Sequence, residues 1–98
     1  MIKVKVPREV KIGSFVYKVK LEEDLSMTQG NVGEHRPHFM EIVIDERTKN
    51  KTPVFLHECI HAICYNYTMG IIDDDIDRLS HGMAELLQSI GVELDWDI

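Results

Sequence analysis

A chain of 98 residues has room for one hydrophobic core and not for two, and its apolar share of 44% and charged share of 29% are those of an ordinary soluble domain. A net charge of −6 with no basic run argues against phosphate-backbone binding, which needs clustered Lys and Arg. No run approaches the ~18 apolar residues of a membrane span, and MIKVKVPREVKIG lacks a secretory apolar segment, so a cytoplasmic protein with no membrane and no nucleic-acid partner is expected.

Residues 2–6, IKVKV, alternate apolar and charged as a half-buried strand does, and Pro7 closes it. FVYKVKL, 15–21, alternates again, with Phe15, Tyr17, Val19 and Leu21 on one face. Gly13-Ser14 before it reads as a turn, so residues 10–21 are expected to form a hairpin. LSMTQGNVGEHRPH, 25–38, carries two glycines and a proline and reads as a loop. FMEIVID, 39–45, is a third strand, bounded by Pro37 and the polar DERTKNK.

Helix signals follow. Thr52 suits an N-cap and Pro53 the first helical position, which predicts a helix from Pro53 to about Tyr67, with Gly70 just beyond its end. It is apolar nearly all round, so it belongs at the centre of the fold. Cys59 and Cys64, five apart on it, point to different faces and are expected as small hydrophobes rather than a disulfide. In the next segment Ile72, Ile76, Leu79, Met83, Leu86, Leu87 and Ile90 recur at three and four, a second helix ended by Gly91. Asp73, Asp74 and Asp75 crowd its first turn, where the helix dipole favours negative charge. The tail VELDWDI is given no element, though Trp96 can dock back. Strands followed by helices imply a single α+β domain over 1–98, with a small antiparallel or mixed sheet of about three strands under two helices.

The segment VFLHECIHAICY, 54–65, places His57 and His61 one turn apart on one helical face, so their nitrogens can converge on one ion. Zinc takes imidazole at ~2.0–2.1 Å and keeps an open position beside three protein ligands when it is catalytic. Glu58 lies about 100° further round the helix. There it can take a proton from metal-bound water, whose pKa zinc lowers to about 7. The plainer reading is a helix with two satisfied histidines. Burying His, Glu and His together without partners is costly, and a metal removes that cost. A third ligand has to come from elsewhere, and the second helix offers Asp77 and His81. Asp77, Ser80, His81, Ala84 and Gln88 form a stripe beside the apolar one, and the small Ser80 and Ala84 allow close helix approach. One stripe can then face the sheet and the other the first helix and its metal. The alternative leaves Asp77 and His81 in solvent.

Over residues 39–90, EIVID, HECIH and the helix DRLSHGMAELL resemble the gluzincin metallopeptidases. The likeness is to the very small ones: minigluzincins, ImmA/IrrE-type peptidases and short phage-encoded proteins. The resemblance implies a minimal zincin-like fold that binds Zn2+ through His57, His61 and Asp77. His81 would hydrogen-bond a zinc-binding histidine, or itself ligate. It implies a peptidase with Glu58 as general base, a peptide or protein substrate, and a phage or mobile-element origin. It also implies an upper-rim strand, here 39–45, that holds an extended substrate by β-augmentation. A further group would stabilise the oxyanion, with His35, His38, Tyr65 and Tyr67 as candidates. The competing expectation is a non-catalytic interaction protein in which the metal is a structural staple for a small core.

Overall fold

Alternating sequence builds the sheet. The computed structural model describes residues 1–23, 25 and 31–98. β1 (Ile2–Lys5), β2 (Glu9–Ile12), β3 (Phe15–Glu22), β4 (Gly33–Arg36) and β5 (Glu41–Asp45) precede helices α1 (Lys51–Tyr67) and α2 (Asp73–Ser89), and β6 (Val92–Asp95) follows. Two-thirds of the strands lie in one mixed sheet, in the order β2-β3-β5-β4. β2 and β3 form the expected hairpin, with Val10 opposite Tyr17 and Ile12 opposite Phe15. Gly13 turns it at φ +63, a left-handed conformation that suits a residue without a Cβ. β3 runs parallel to β5, and β4 antiparallel to β5.

β5 is the inner strand, and its Ile42, Val43 and Ile44 are fully buried, the continuous apolar run of a strand covered on both faces. It starts at Glu41 rather than 39, because Pro37–Met40 turn the chain and Met40 adopts φ +51. β4 arises where a loop was expected: GEHR carries no apolar alternation, and its glycine and neighbouring proline mask it. The part of that loop over 26–30 lies outside the described residues. The α+β class holds, with four strands in the main sheet instead of about three. β6 pairs parallel with β1 as a separate two-stranded sheet, Ile2 opposite Val92. β1 itself is exposed along its whole length rather than half-buried, and Val6, just beyond it, is the residue that enters the core.

α1 lies across the main sheet. Phe55 and Ala62 join Val6, Tyr17, Val19, Ile42 and Ile44 in one cluster. It starts two residues ahead of the expected position, behind Asn50, with no side-chain cap. Thr52 has other work: its Oγ1 accepts the Trp96 indole N–H at 3.2 Å, and Trp96 meets Phe55 edge to face. The end of the helix falls at Thr68, which is left-handed at φ 55, so Gly70 is not needed there. α2 stacks on α1 through Ile76, which is buried with Ile60 and Cys64. Ser80 is fully buried, its hydroxyl donating to the Asp77 carbonyl. The main apolar stripe of α2 does not face the sheet, because α1 already covers it. Leu79, Met83, Leu86 and Ile90 face solvent. Both cysteines are free, and burial pushes the Cys59 thiol up to about 12, which makes it inert. Among the described residues no helix is long and apolar enough to cross a membrane.

Candidate metal centre

Helical spacing and a helix start bring three ligand atoms together. His57 and His61 project from one face of α1, their Nε2 atoms 3.1 Å apart. The first residue of α2 closes the set: Asp73 Oδ1 lies 3.1 Å from His57 Nε2 and 2.8 Å from His61 Nε2. Three ligands on a tetrahedral zinc, each at ~2.0–2.1 Å, stand ~3.3 Å from one another. The observed triangle is close to that. The neighbouring histidines hold the Asp73 carboxyl below its usual range, so it is ionised, and its role is acceptor only. If both Nε2 atoms carry hydrogen, both can donate to Asp73 Oδ1, though at 3.1 Å they also crowd each other. If one is bare, its lone pair faces the carboxylate. A cation at the centre meets all three atoms, so the donor set fits a metal ion, and the His57–His61–Asp73 group can hold one.

Asp77, expected as the ligand, stands one turn further along α2. It is outside that group, and its Oδ1 lies 3.4 Å from His57 Nδ1, the nitrogen that points away from the triangle. A carboxylate there fixes the ring orientation and tautomer of a ligand histidine. His81 reaches neither histidine. Its Nδ1–H donates to the Asp77 carbonyl at 2.8 Å, and its ring only borders the cleft. Where the sequence reading paired Asp77 with His81, the structure sets Asp73 against both Nε2 atoms and Asp77 against His57 Nδ1. Asp73 and Asp77 have the same spacing as Asp77 and His81. Asp73 was missed because its position in the first helical turn was explained by the helix dipole alone.

Glu58 lines the same cleft and reaches β4. It is buried, and its carboxylate accepts the backbone N–H of His35. Burial raises its pKa to about 7; the charges of Asp73 and Glu34 add to this, while His61 and the His35 N–H oppose it. A carboxyl tuned to neutrality beside an open cleft suits proton transfer. The cleft holds about 690 Å³ and is lined by Gly33, Glu34 and His35 of β4 as well as His57, Glu58 and His61.

β4 can come this close because residue 33 is glycine. A Cβ there would stand 2.6 Å from Val54 Cγ1 and 3.2 Å from Glu58 Oε2. We expect Gly33→Ala to cost about 1–3 kcal/mol, as overpacking does. A melting curve no lower than that of the parent protein would show that strand and helix are less tightly seated.

β4 also takes over a role expected of residues 39–45. β5 has strands on both sides and offers no free edge, whereas among the described residues β4 has β5 on one side only, and it lies along the cleft. Of the four candidates for oxyanion stabilisation, His35 borders the cleft among the described residues. Its Nε2 lies 3.5 Å from the Tyr17 hydroxyl, which also accepts from Asn66 Nδ2. Tyr65 is exposed and packs edge-on against the His35 ring. His38 and Tyr67 are exposed and do not border the cleft. Burial, and then the proximity of His61, lower the His35 pKa, which favours a neutral ring. The chain matches no family model, no curated protein and no solved structure.

Proposed function

We propose that this chain is a small zinc-dependent peptidase of the gluzincin type. The single observation that carries the reading is the triangle of His57 Nε2, His61 Nε2 and Asp73 Oδ1, whose edges are close to those of three ligands on one tetrahedral zinc. When bound, a divalent cation supplies Lewis acidity and activates water. The chain's own residues do the rest. His57, His61 and Asp73 hold the ion, and Asp77 orients His57. Glu58 takes up a proton at its carboxylate and can return it to a leaving amine. The outer edge of β4, unpaired among the described residues, offers backbone N–H and C=O groups to an extended peptide beside Glu58. His35, at the rim of the cleft, donates a hydrogen bond to a developing oxyanion in this reading. The metal-staple reading is disfavoured by a buried carboxyl with a pKa near 7 that lines an open cleft, since a purely structural site needs no such group.

Metal analysis of protein purified without chelator, with cleavage of a denatured protein substrate in zinc and in EDTA, tests the reading. One zinc per chain and zinc-dependent cleavage are expected. Zinc without cleavage of any unfolded substrate would make the site a staple, and absence of zinc would remove the centre altogether.

A further inference from the structure

We infer that two copies of this chain pair through their α2 helices, antiparallel, about a two-fold axis near residue 81. The observation is an apolar stripe that no described residue covers. Ile72 is 64% exposed, Leu79 47%, Met83 40%, Leu86 59% and Ile90 64%. These side chains run the length of α2, and with the buried Ile76 they keep the alternating four-three spacing of helices that pair side by side. Together they amount to an apolar patch on the order of several hundred Å², a size that marks an interaction site on a soluble protein. Two such patches facing each other bury on the order of 1,000 Å², the lower bound for a stable interface.

The stripe is complementary to itself in one direction only. Among the exposed members, Ile72 and Ile90 are equidistant from position 81, as are Leu79 and Met83. An antiparallel pair therefore sets Ile72 against Ile90 of the second copy, and Leu79 against Met83. This is the isologous contact that a closed dimer requires. Charge agrees. The polar flank of the stripe carries Arg78 and Glu85, with Gly82 between them. Antiparallel pairing brings Arg78 of one copy level with Glu85 of the other, and Gly82, with open space at its missing Cβ, lets the backbones approach near the axis. Parallel pairing would instead stack Asp73, Asp74 and Asp75 of both copies at one end. It would also press the polar flank against the side of α2 that holds Ile76 and Ser80 on α1. Arg78 already holds Asp75 of its own helix at 2.8 Å, which orients its guanidinium on that flank.

This inference does not rest on the metal centre. Sedimentation of the whole chain over micromolar to sub-millimolar concentrations, with and without EDTA, is expected to show a reversible monomer–dimer equilibrium. Leu79→Glu should weaken the dimer at least about a hundredfold, since it buries a charge from each copy in the seam. Its melting curve at low concentration should stay close to that of the monomeric parent, because Leu79 faces solvent in the single chain. Arg78→Glu should weaken the dimer, and the exchanged pair Arg78→Glu with Glu85→Arg should restore it. A chain that stays monomeric throughout, or a dimer that Leu79→Glu and the charge variants leave equally tight, overturns the proposal.

Discussion

Protein purified without chelator should carry one zinc per chain, and His57→Ala or His61→Ala should carry none. Each histidine supplies one corner of a three-atom triangle, and two remaining corners do not define a tetrahedral site. The geometry also ranks the acidic residues. Asp73→Ala removes a corner and should cost as much as either histidine. Asp77→Ala removes only the group beside His57 Nδ1, and should weaken binding about 10–100-fold. His81→Ala should leave affinity close to that of the parent. Competition against a chelator of known affinity gives the order directly. If Asp77→Ala lost zinc more severely than Asp73→Ala, the ligand and the orienting group would have to be exchanged.

Glu58→Gln should keep zinc and lose catalysis. The amide preserves volume and an oxygen for the His35 N–H, but it can no longer take a proton. General-base assistance contributes about 10²–10⁴-fold, so cleavage should fall by that factor with zinc stoichiometry unchanged. Stability gives a second readout in the metal-free protein. The Glu58 carboxyl ionises with a pKa of about 7 in the fold, against 4.5 when free. Folding therefore favours its protonated form. The penalty is absent well below pH 4.5, grows as pH rises through 4.5 to 7, and is complete above 7. Its upper bound is about 3 kcal/mol. Glu58→Gln escapes it, so the variant should match the parent at pH 4 and melt higher at pH 8. A variant that melts lower at pH 8 would show that the ionised carboxylate is a structural partner instead.

The parts of this architecture that were legible in the sequence are those where one local signal had one cause. Pro53 and the apolar run after it announced α1, and the HECIH spacing put two imidazoles on one face. The hairpin at Gly13 was legible for the same reason. β4 was not, because an edge strand that lines a cleft with Glu34 and His35 has no apolar alternation to show. Asp73 carried two explanations at once, the helix dipole and a place beside the two histidines, and the commoner one concealed the other. The stripe on α2 misled in a different way. Apolar residues at three and four mean a covered face, but the spacing does not say whether this chain or another molecule covers it. Here α1 had already taken the sheet.

The β1–β6 pair has a bearing on the order in which the molecule can assemble. Ile2 and Val92 are partners about ninety residues apart, so this ladder closes nearly the largest loop the chain allows. Closing such a loop costs entropy that no nearby contact repays, and contacts of this range slow folding. The β2–β3 hairpin and α1 need only neighbours close in sequence. They can form while β1 still waits, unpaired, for residues 92–95 to be synthesised. Trp96 follows directly after β6 and docks on Phe55, two residues before His57. The last strand to arrive thus clamps the helix that bears the histidines. As the sole tryptophan, it gives that final event a fluorescence signal of its own.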